Sequence, residues 1–562
     1  MDGVGSGPGV APGPPSVSAP EVGQIPPFQE VSFILMLDHL SSMSDGPASG
    51  AALGPVATSN PCFYPIQART PIVDTFQDLV EKDLMRINKA NKAASDLTRQ
   101  EQEALQSLQN NASSVSKKFS MSTQFKVYAY FSLNPAGFLQ AMAMKFTVEE
   151  INNSTTLLPG QILGYKVYDT CLNSLAILHP TLLFLARNGT EDVEVMCNLT
   201  DYKTEVIAVI GPSSIEEATV PTKLFSAFLI PQISYAVTAD EFSDKTTYPS
   251  FLRTVPSDIK QVSGMVALMA YFQWNWIAAV ASDDDYGTQA LQQFSSSAID
   301  SGICLAYEGI IPLNISDSAI STVIESILDG IVQAEVNVVL VFSSLPQSIA
   351  LFQEVIGRNM TQVWIGSASW VLSESVLSLT GIERVGTVIG FFPEAQIVPG
   401  FDGFLRNAIS QLYPPHSATQ SMWASEGYQN IDLNPDAISA ILHPLTALLA
   451  QSVYTAVYAV AYALDTLLNC NSVMCNKQES KIYPWKLLEV VKNVTFSIFN
   501  TSFNFDRNGN PNVGYYIVTH SFTGMGFINI GSYNGELDLN ISLINWGTKD
   551  NQMPRNGVRG NC

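Results

Sequence analysis

Ser213 and Ser214 stand in a GPSS turn between the apolar run EVIAVIGP (205–212) and a segment of helical pattern. Exposed N–H groups and two hydroxyls at such a turn suit an anion. The plainer role for either serine is to cap the helix. A zwitterionic amino acid needs such donors for its carboxylate, and a carboxylate, carbonyl or ring face for its ammonium. Asp283, Asp284 and Asp285 precede Tyr286 in ASDDDYG and read as a solvated loop in preference to a metal site. FDRNGNP (505–511) opens like a calcium loop but lacks the closing Glu, so it reads as a tight turn. There is no GxSxG elbow, HExxH, Walker loop or GxGxxG, and the five histidines do not cluster. The expectation is therefore a binding protein with no catalytic residues, no metal and no cofactor.

The chain that must position these residues has 562 residues, enough for two or more compact units. Hydrophobic residues make up 46% of it and charged residues 14%, which suits a large buried α/β body. A formal charge of −22 excludes nucleic acid as a partner and disfavours a polybasic hold on lipid. Ten N-x-S/T sequons point to the secretory pathway: Asn111, Asn152, Asn153, Asn188, Asn198, Asn314, Asn359, Asn493, Asn500 and Asn540. Of these Asn188, Asn198, Asn314, Asn359, Asn493 and Asn540 are the glycosylation candidates. Seven scattered cysteines are no small-scaffold framework, and Cys470 with Cys475 can close a short loop. The N-terminus carries no basic n-region, and VSFILML (31–37) is too short for a signal peptide. The longest apolar stretch, 438–468, is interrupted by His443, Pro444, Gln451 and Asp465 and reads as a buried helix.

Residues 1–73 are rich in Gly and Pro, with the composition of a disordered segment. Residues 74–123 are charged and helix-favouring, and resemble segments that precede reverse transcriptase in vertebrate retroelements. That stretch is expected to be foreign to the rest or a mispredicted exon, the plainer reading being an ordinary solvated helix. From about 124 apolar runs alternate with amphipathic patterns. The strands are expected at 205–212, 276–282, 336–344, 363–369 and 386–392, and helices at 136–153, 259–272 and 319–335. Strand–helix alternation predicts doubly wound sheets, repeated as two lobes, with ligand at the carboxyl ends of the strands. GPSS, ASDDDYG and GSASW follow three of those strands.

Several long motifs carry a more specific likeness: FTVEEINNSTTLLPGQILGYKVYDTC (146–171), AVIGPSS (208–214), IPQISYA (230–236), SFLRTVPSD (250–258), YFQWNWIAAVASDDDYG (271–287) and FDRNGNP. In this order they resemble class C G-protein-coupled receptor ectodomains over about 440 residues. SVYTAVYAVAYAL (452–464), CNSVMC (470–475) and NWGTKDNQMP (545–554) resemble the taste receptor type 1 group, and IGSYNGEL (530–537) its member 3 branch. The resemblance implies an α/β, bilobal Venus-flytrap of periplasmic-binding-protein type I, each lobe a mostly parallel sheet flanked by helices. Lobe 1 would comprise 124–256 and 386–500, lobe 2 257–385 and 501–547, with 548–562 opening a cysteine-rich linker. It implies a cleft that senses a small-molecule tastant, an amino acid or sugar, through Ser213, Ser214, Ala236, Thr238, Asp258 and Tyr286. Asp258 and Tyr286 would face the ligand ammonium from lobe 2. A second taste-type subunit would be the partner, at the extracellular face of the plasma membrane, with G-protein contact through regions absent here. The competing readings are a soluble solute-binding or decoy protein or a non-functional truncated receptor and, third, a carbohydrate-active enzyme on the same frame.

Two departures from the family weaken the implied pocket. Its carboxylate-binding hydroxyl falls at Ile215, and its ammonium-facing glutamate falls at Ala368. One lost donor and one lost acceptor correspond to a few kcal/mol, at about 1.5–3 kcal/mol for each charge-assisted bond. The family's first strand is expected to be missing, and Cys171 to lack its family partner unless Cys62 substitutes for it. Cys304 is expected to have its partner in the absent cysteine-rich region, Cys197 to face a second subunit, and Cys470–Cys475 to be the local pair.

Overall fold

The computed structural model describes residues 125–554 and 556, apart from 132–134, 171–173, 188–192, 194–200, 205, 315–319, 413–443, 476–481, 522–525, 548–550 and 555. The expectations for 1–73, 74–123, Cys171, Cys197, Asn188 and Asn198 lie outside the described residues.

Two sheets organise the chain. The first has the order β2-β1-β3-β4-β5 and is wholly parallel, from β1 (Phe125–Phe131), β2 (Leu163–Asp169), β3 (Ala208–Ile210), β4 (Gln232–Ser234) and β5 (Phe251–Arg253). β1 pairs with β2 and β3 on its two sides. The expected loss of the first strand is thus corrected, because FKVYAYF supplies one inside the sheet. β3 to β5 are buried throughout, as strands covered on both faces must be. Helices α1 (Pro135–Asn152), α2 (Leu178–Leu185) and α3 (Ile215–Phe228) belong to this lobe.

The second sheet has the order β15-β14-β13-β10-β9-β8-β6-β7. Its parallel half is β6 (Trp276–Ser282), β7 (Cys304–Ile311), β8 (Val338–Phe342), β9 (Gln362–Gly366) and β10 (Gly386–Pro393). Helices α4 (Asp258–Phe272), α5 (Asp285–Asp300), α6 (Ile320–Gln333) and α7 (Leu345–Gly357) alternate with those strands. α8 (Phe401–Leu412), α9 (Pro444–Leu467) and α10 (Pro484–Val491) return to the first lobe and share its core with Val127, Met142 and Leu252. The apolar 438–468 stretch is thus largely the helix α9, whose Val453, Val457 and Leu464 are wholly buried. No helix among the described residues is long and apolar enough to cross a membrane.

Sheet membership moves two expected lobe boundaries. β10 pairs with β9 in parallel and with β13 (Tyr515–His520) antiparallel, so it belongs to lobe 2 although 386 was expected to open a lobe 1 segment. β11 (Thr495–Ile498) and β12 (Thr501–Asn504) form a hairpin whose Phe496, Ile498 and Phe503 enter the lobe 1 core, so the return to lobe 2 falls after 504. β14 (Phe527–Tyr533) and β15 (Leu537–Leu539) complete the antiparallel edge. Trp546 closes lobe 2, its ring 5.4 Å from Phe272 and 6.0 Å from Trp274, and the Trp274 indole donates to the Pro554 carbonyl at 3.3 Å.

Three crossings join the lobes among the described residues: 254–257, 394–400 and 505–514. FDRNGNP forms the turn read from sequence. Asp506 Oδ1 accepts from the N–H groups of Asn508 and Asn510, and Phe505 bridges to Pro511. Gly509 has φ +70°, and a Cβ there would stand 2.7 Å from the Phe251 carbonyl oxygen, so only glycine fits. Cys470 and Cys475 form a disulfide. Cys304 is also disulfide-bonded, which corrects the expectation that its partner lies beyond this chain; that partner is outside the described residues. Asn314, Asn359, Asn493 and Asn540 are exposed.

Candidate functional site

A cavity of about 830 Å³ opens between the lobes. All six sequence-predicted residues line it: Ser213, Ser214, Ala236 and Thr238 from lobe 1, Asp258 and Tyr286 from lobe 2. They meet because each follows a strand or opens a helix at the carboxyl edge of its sheet.

On lobe 1, β3 ends in Gly211 and the chain turns into α3. Ser214 is the N-cap of that helix, and its hydroxyl oxygen accepts from the Glu217 N–H at 3.3 Å. The Ser213 hydroxyl donates to Glu217 Oε2 at 3.0 Å. Both serines therefore have structural work as well as a place on the cavity wall. Ser214→Ala is expected to cost about 1 kcal/mol of stability, read as the urea midpoint, through loss of the cap. The strand end at 235–238 is set by Ser234, whose hydroxyl donates to the Pro212 carbonyl (2.9 Å) and accepts from the Val237 N–H (2.9 Å). Tyr235 beside it has its phenol held well above the ordinary range, first by burial and then by the charge of Glu217.

On lobe 2, Asp258 opens α4 and its N–H donates to the Thr238 carbonyl across the cleft at 2.8 Å. Asp258 is 2% exposed, and burial pushes its carboxyl pKa up from 3.8 to about 6, against a hydrogen bond from Thr238 and the charge of Arg253. Beneath it Arg253 is fully buried. Its guanidinium donates to the carbonyls of Ala239 (2.8 Å) and Val237 (3.3 Å), to Asn510 Oδ1 (2.7 Å) and to Ser243, and lies 4.0 Å from Asp240. The Tyr286 hydroxyl is bonded among Ser367, Ser369 and Gln261, and burial followed by the charge of Asp258 holds it far up the phenol range.

The aspartate run divides. Asp283 and Asp285 are exposed, whereas Asp284 caps α5, accepting from the Gly287 N–H at 2.6 Å and from Ser282 at 2.9 Å, and bonding Ser344. Ile215 is 5% exposed and packs in an apolar cluster with Ala218, Val237 and Phe242, the Tyr286 ring against it. Ala368 lines the cavity too, and its N–H donates to Gln261 Oε1 at 3.4 Å. Sequence reading passed over Gln261, Glu217, Ser369 and Arg253. Gln261 is three residues from Asp258 and so on the same helix face, and Ser214-x-x-Glu217 has capping-box spacing, so both carried a signal. Ser369 is one of two serines in GSASW with nothing to single it out, and a single Arg after a short strand carries no signal.

Two parallel-sheet lobes, several crossings and one cleft at the carboxyl ends of both sheets define a bilobal, periplasmic-binding-protein-like ligand-binding domain. The model of the Receptor family ligand binding region matches residues 139–521, and the chain belongs to that family. Taste receptor type 1 member 3 of Canis lupus familiaris is 38% identical over 440 residues, 76% of this chain and 52% of that protein. The Homo sapiens member 3 is 38% identical over 442 residues, 77% of this chain and 52% of that protein. Taste receptor type 1 member 1 of Homo sapiens is 36% identical over 446 residues, 77% and 52%. The chain spans about half the length of the curated relatives it matches.

Proposed function

We propose that this chain is the extracellular ligand-binding module of a taste-type G-protein-coupled receptor, sensing an amino acid or a sugar by closure of its cleft. The observation that carries this reading is the division of polar groups across one cavity: hydroxyls on lobe 1, and the Asp258 carboxyl and Tyr286 ring on lobe 2. A ligand touching both walls binds the closed form better and shifts the population toward it. The chain acts as a binding protein and not as an enzyme, at the extracellular face of the plasma membrane, beside a second taste-type subunit. The likeness to taste receptors of both member types supports the pairing, and G-protein contact belongs to regions outside this sequence.

A thermal-shift screen of the full chain against amino acids and sugars tests the reading. Stabilisation that saturates with concentration is expected, rising as RT ln(1 + [L]/Kd). Turnover of a sugar without stabilisation would replace it with an enzyme.

A further inference from the structure

We propose that the cleft, granted the ligand-binding reading above, takes small organic cations without a free carboxylate, amino-acid amides among them, and turns α-carboxylates away. Glu217 and Ile215 are the residues that set this preference. Glu217 lies behind the cavity wall, 1% exposed, with one carboxyl oxygen on the Ser213 hydroxyl and the other without a hydrogen-bond partner. It makes no ion pair among the described residues. The charge of Glu217 reaches the cavity through Ser213 and Tyr235, both on its wall.

The rest of the lining agrees. Glu216, Asp258, Asp284 and Glu394 face the cavity, and no Lys, Arg or His does among the described residues. Three of these carboxyls have counter-groups outside the cavity: Arg253 for Asp258, Lys260 for Glu394, and the α5 N-terminus with two serines for Asp284. Glu217 has no such cation among the described residues, and it lies just behind the wall against which an α-carboxylate would have to seat. The first turn of α3 offers backbone N–H groups there, but Glu216 and Glu217 occupy that same turn and oppose an anion. The Ser213 proton is committed to Glu217, and Ile215 presents methyl groups where the family has a hydroxyl. The opposite wall keeps what an ammonium needs, the Asp258 carboxyl and the Tyr286 ring. An amide in place of the carboxylate removes the repulsion and brings N–H groups that the Ser213 hydroxyl oxygen can accept.

Calorimetric titration of the full chain with L-alaninamide, L-alanine, propionate and glucose, all at pH 7, tests this. Alaninamide is expected to bind about tenfold or more tighter than alanine, the size of one charge-assisted bond lost and one repulsion gained, and propionate not to bind. Glu217→Gln is expected to bring alanine severalfold closer to alaninamide. Ile215→Ser, which puts a hydroxyl on the cavity wall in place of a buried methyl and leaves the Glu217 carboxyl untouched, serves the same end if the Glu217 substitution impairs folding. Alanine binding as tightly as its amide, or an amide-to-acid ratio unchanged in both variants, would overturn the preference. Binding of glucose with no binding of either amine would overturn it while leaving the sensor reading in place, and silence from all four probes would overturn both.

Discussion

Arg253→Ala is expected to lower the free energy of unfolding by about 3–5 kcal/mol, because it strips a buried cation from a shell built around it. The guanidinium ties together three parts of the chain: the carbonyls of Val237 and Ala239 after β4, Ser243 and Asp240 on the following turn, and Asn510 on the 505–514 crossing. Its own N–H also donates to the Gly509 carbonyl at 3.0 Å. Alanine leaves those carbonyls buried without donors and opens a cavity beside Asp258. Lysine should rescue little, since one ammonium cannot span a planar fork's partners. Urea titration of both variants checks this; an alanine variant within about 1 kcal/mol of the parent would show that the shell closes by itself.

Asp258→Asn is expected to do the reverse to stability while weakening ligand binding. The carboxyl's folded pKa of about 6 lies above its ordinary 3.8, so the fold favours the protonated form. For an acid raised in this direction, the charged form carries a penalty that is complete above pH 6 and disappears as pH falls through about 4. About two units correspond to roughly 3 kcal/mol. The asparagine variant should therefore be the more stable protein at pH 7 by up to about that amount, with the gap closing between pH 6 and 4. Its affinity for an ammonium ligand should fall about 10- to 100-fold, the worth of one charge-assisted bond. Parent protein should lose the same affinity as pH drops through 6. A variant less stable than the parent at pH 7 would mean that the carboxylate's contacts with Thr238 and Arg253 outweigh its burial.

The same residue shows what a sequence can and cannot display. β6 coincides with the apolar run 276–282, and α1, α4 and α6 begin and end within two residues of their periodic patterns, because continuous burial and 3.6-residue spacing are local properties. Lobe membership is not local. The run GTVIGFF reads the same whether it extends either sheet, and only its pairing with β9 and β13 assigns it. The pocket divides along the same line. Asp258 and Tyr286 are visible through motifs that open helices, and Ser214 through its cap. Arg253 and Glu217 differ: their significance is burial, which a single charged letter conceals. Ile215 was visible as a lost hydroxyl, and the structure adds that its methyls sit in an apolar wall with Phe242 and Tyr286.

Closure of the cleft is tested most directly by small-angle scattering of the full chain, with and without a ligand at saturation as fixed by calorimetry. A ligand bridging Ser213 and Thr238 on one wall to Asp258 and Tyr286 on the other should shrink the radius of gyration, and Asp258→Asn should abolish the change at the same concentration. An unchanged radius with the site demonstrably filled would contradict closure as the signal.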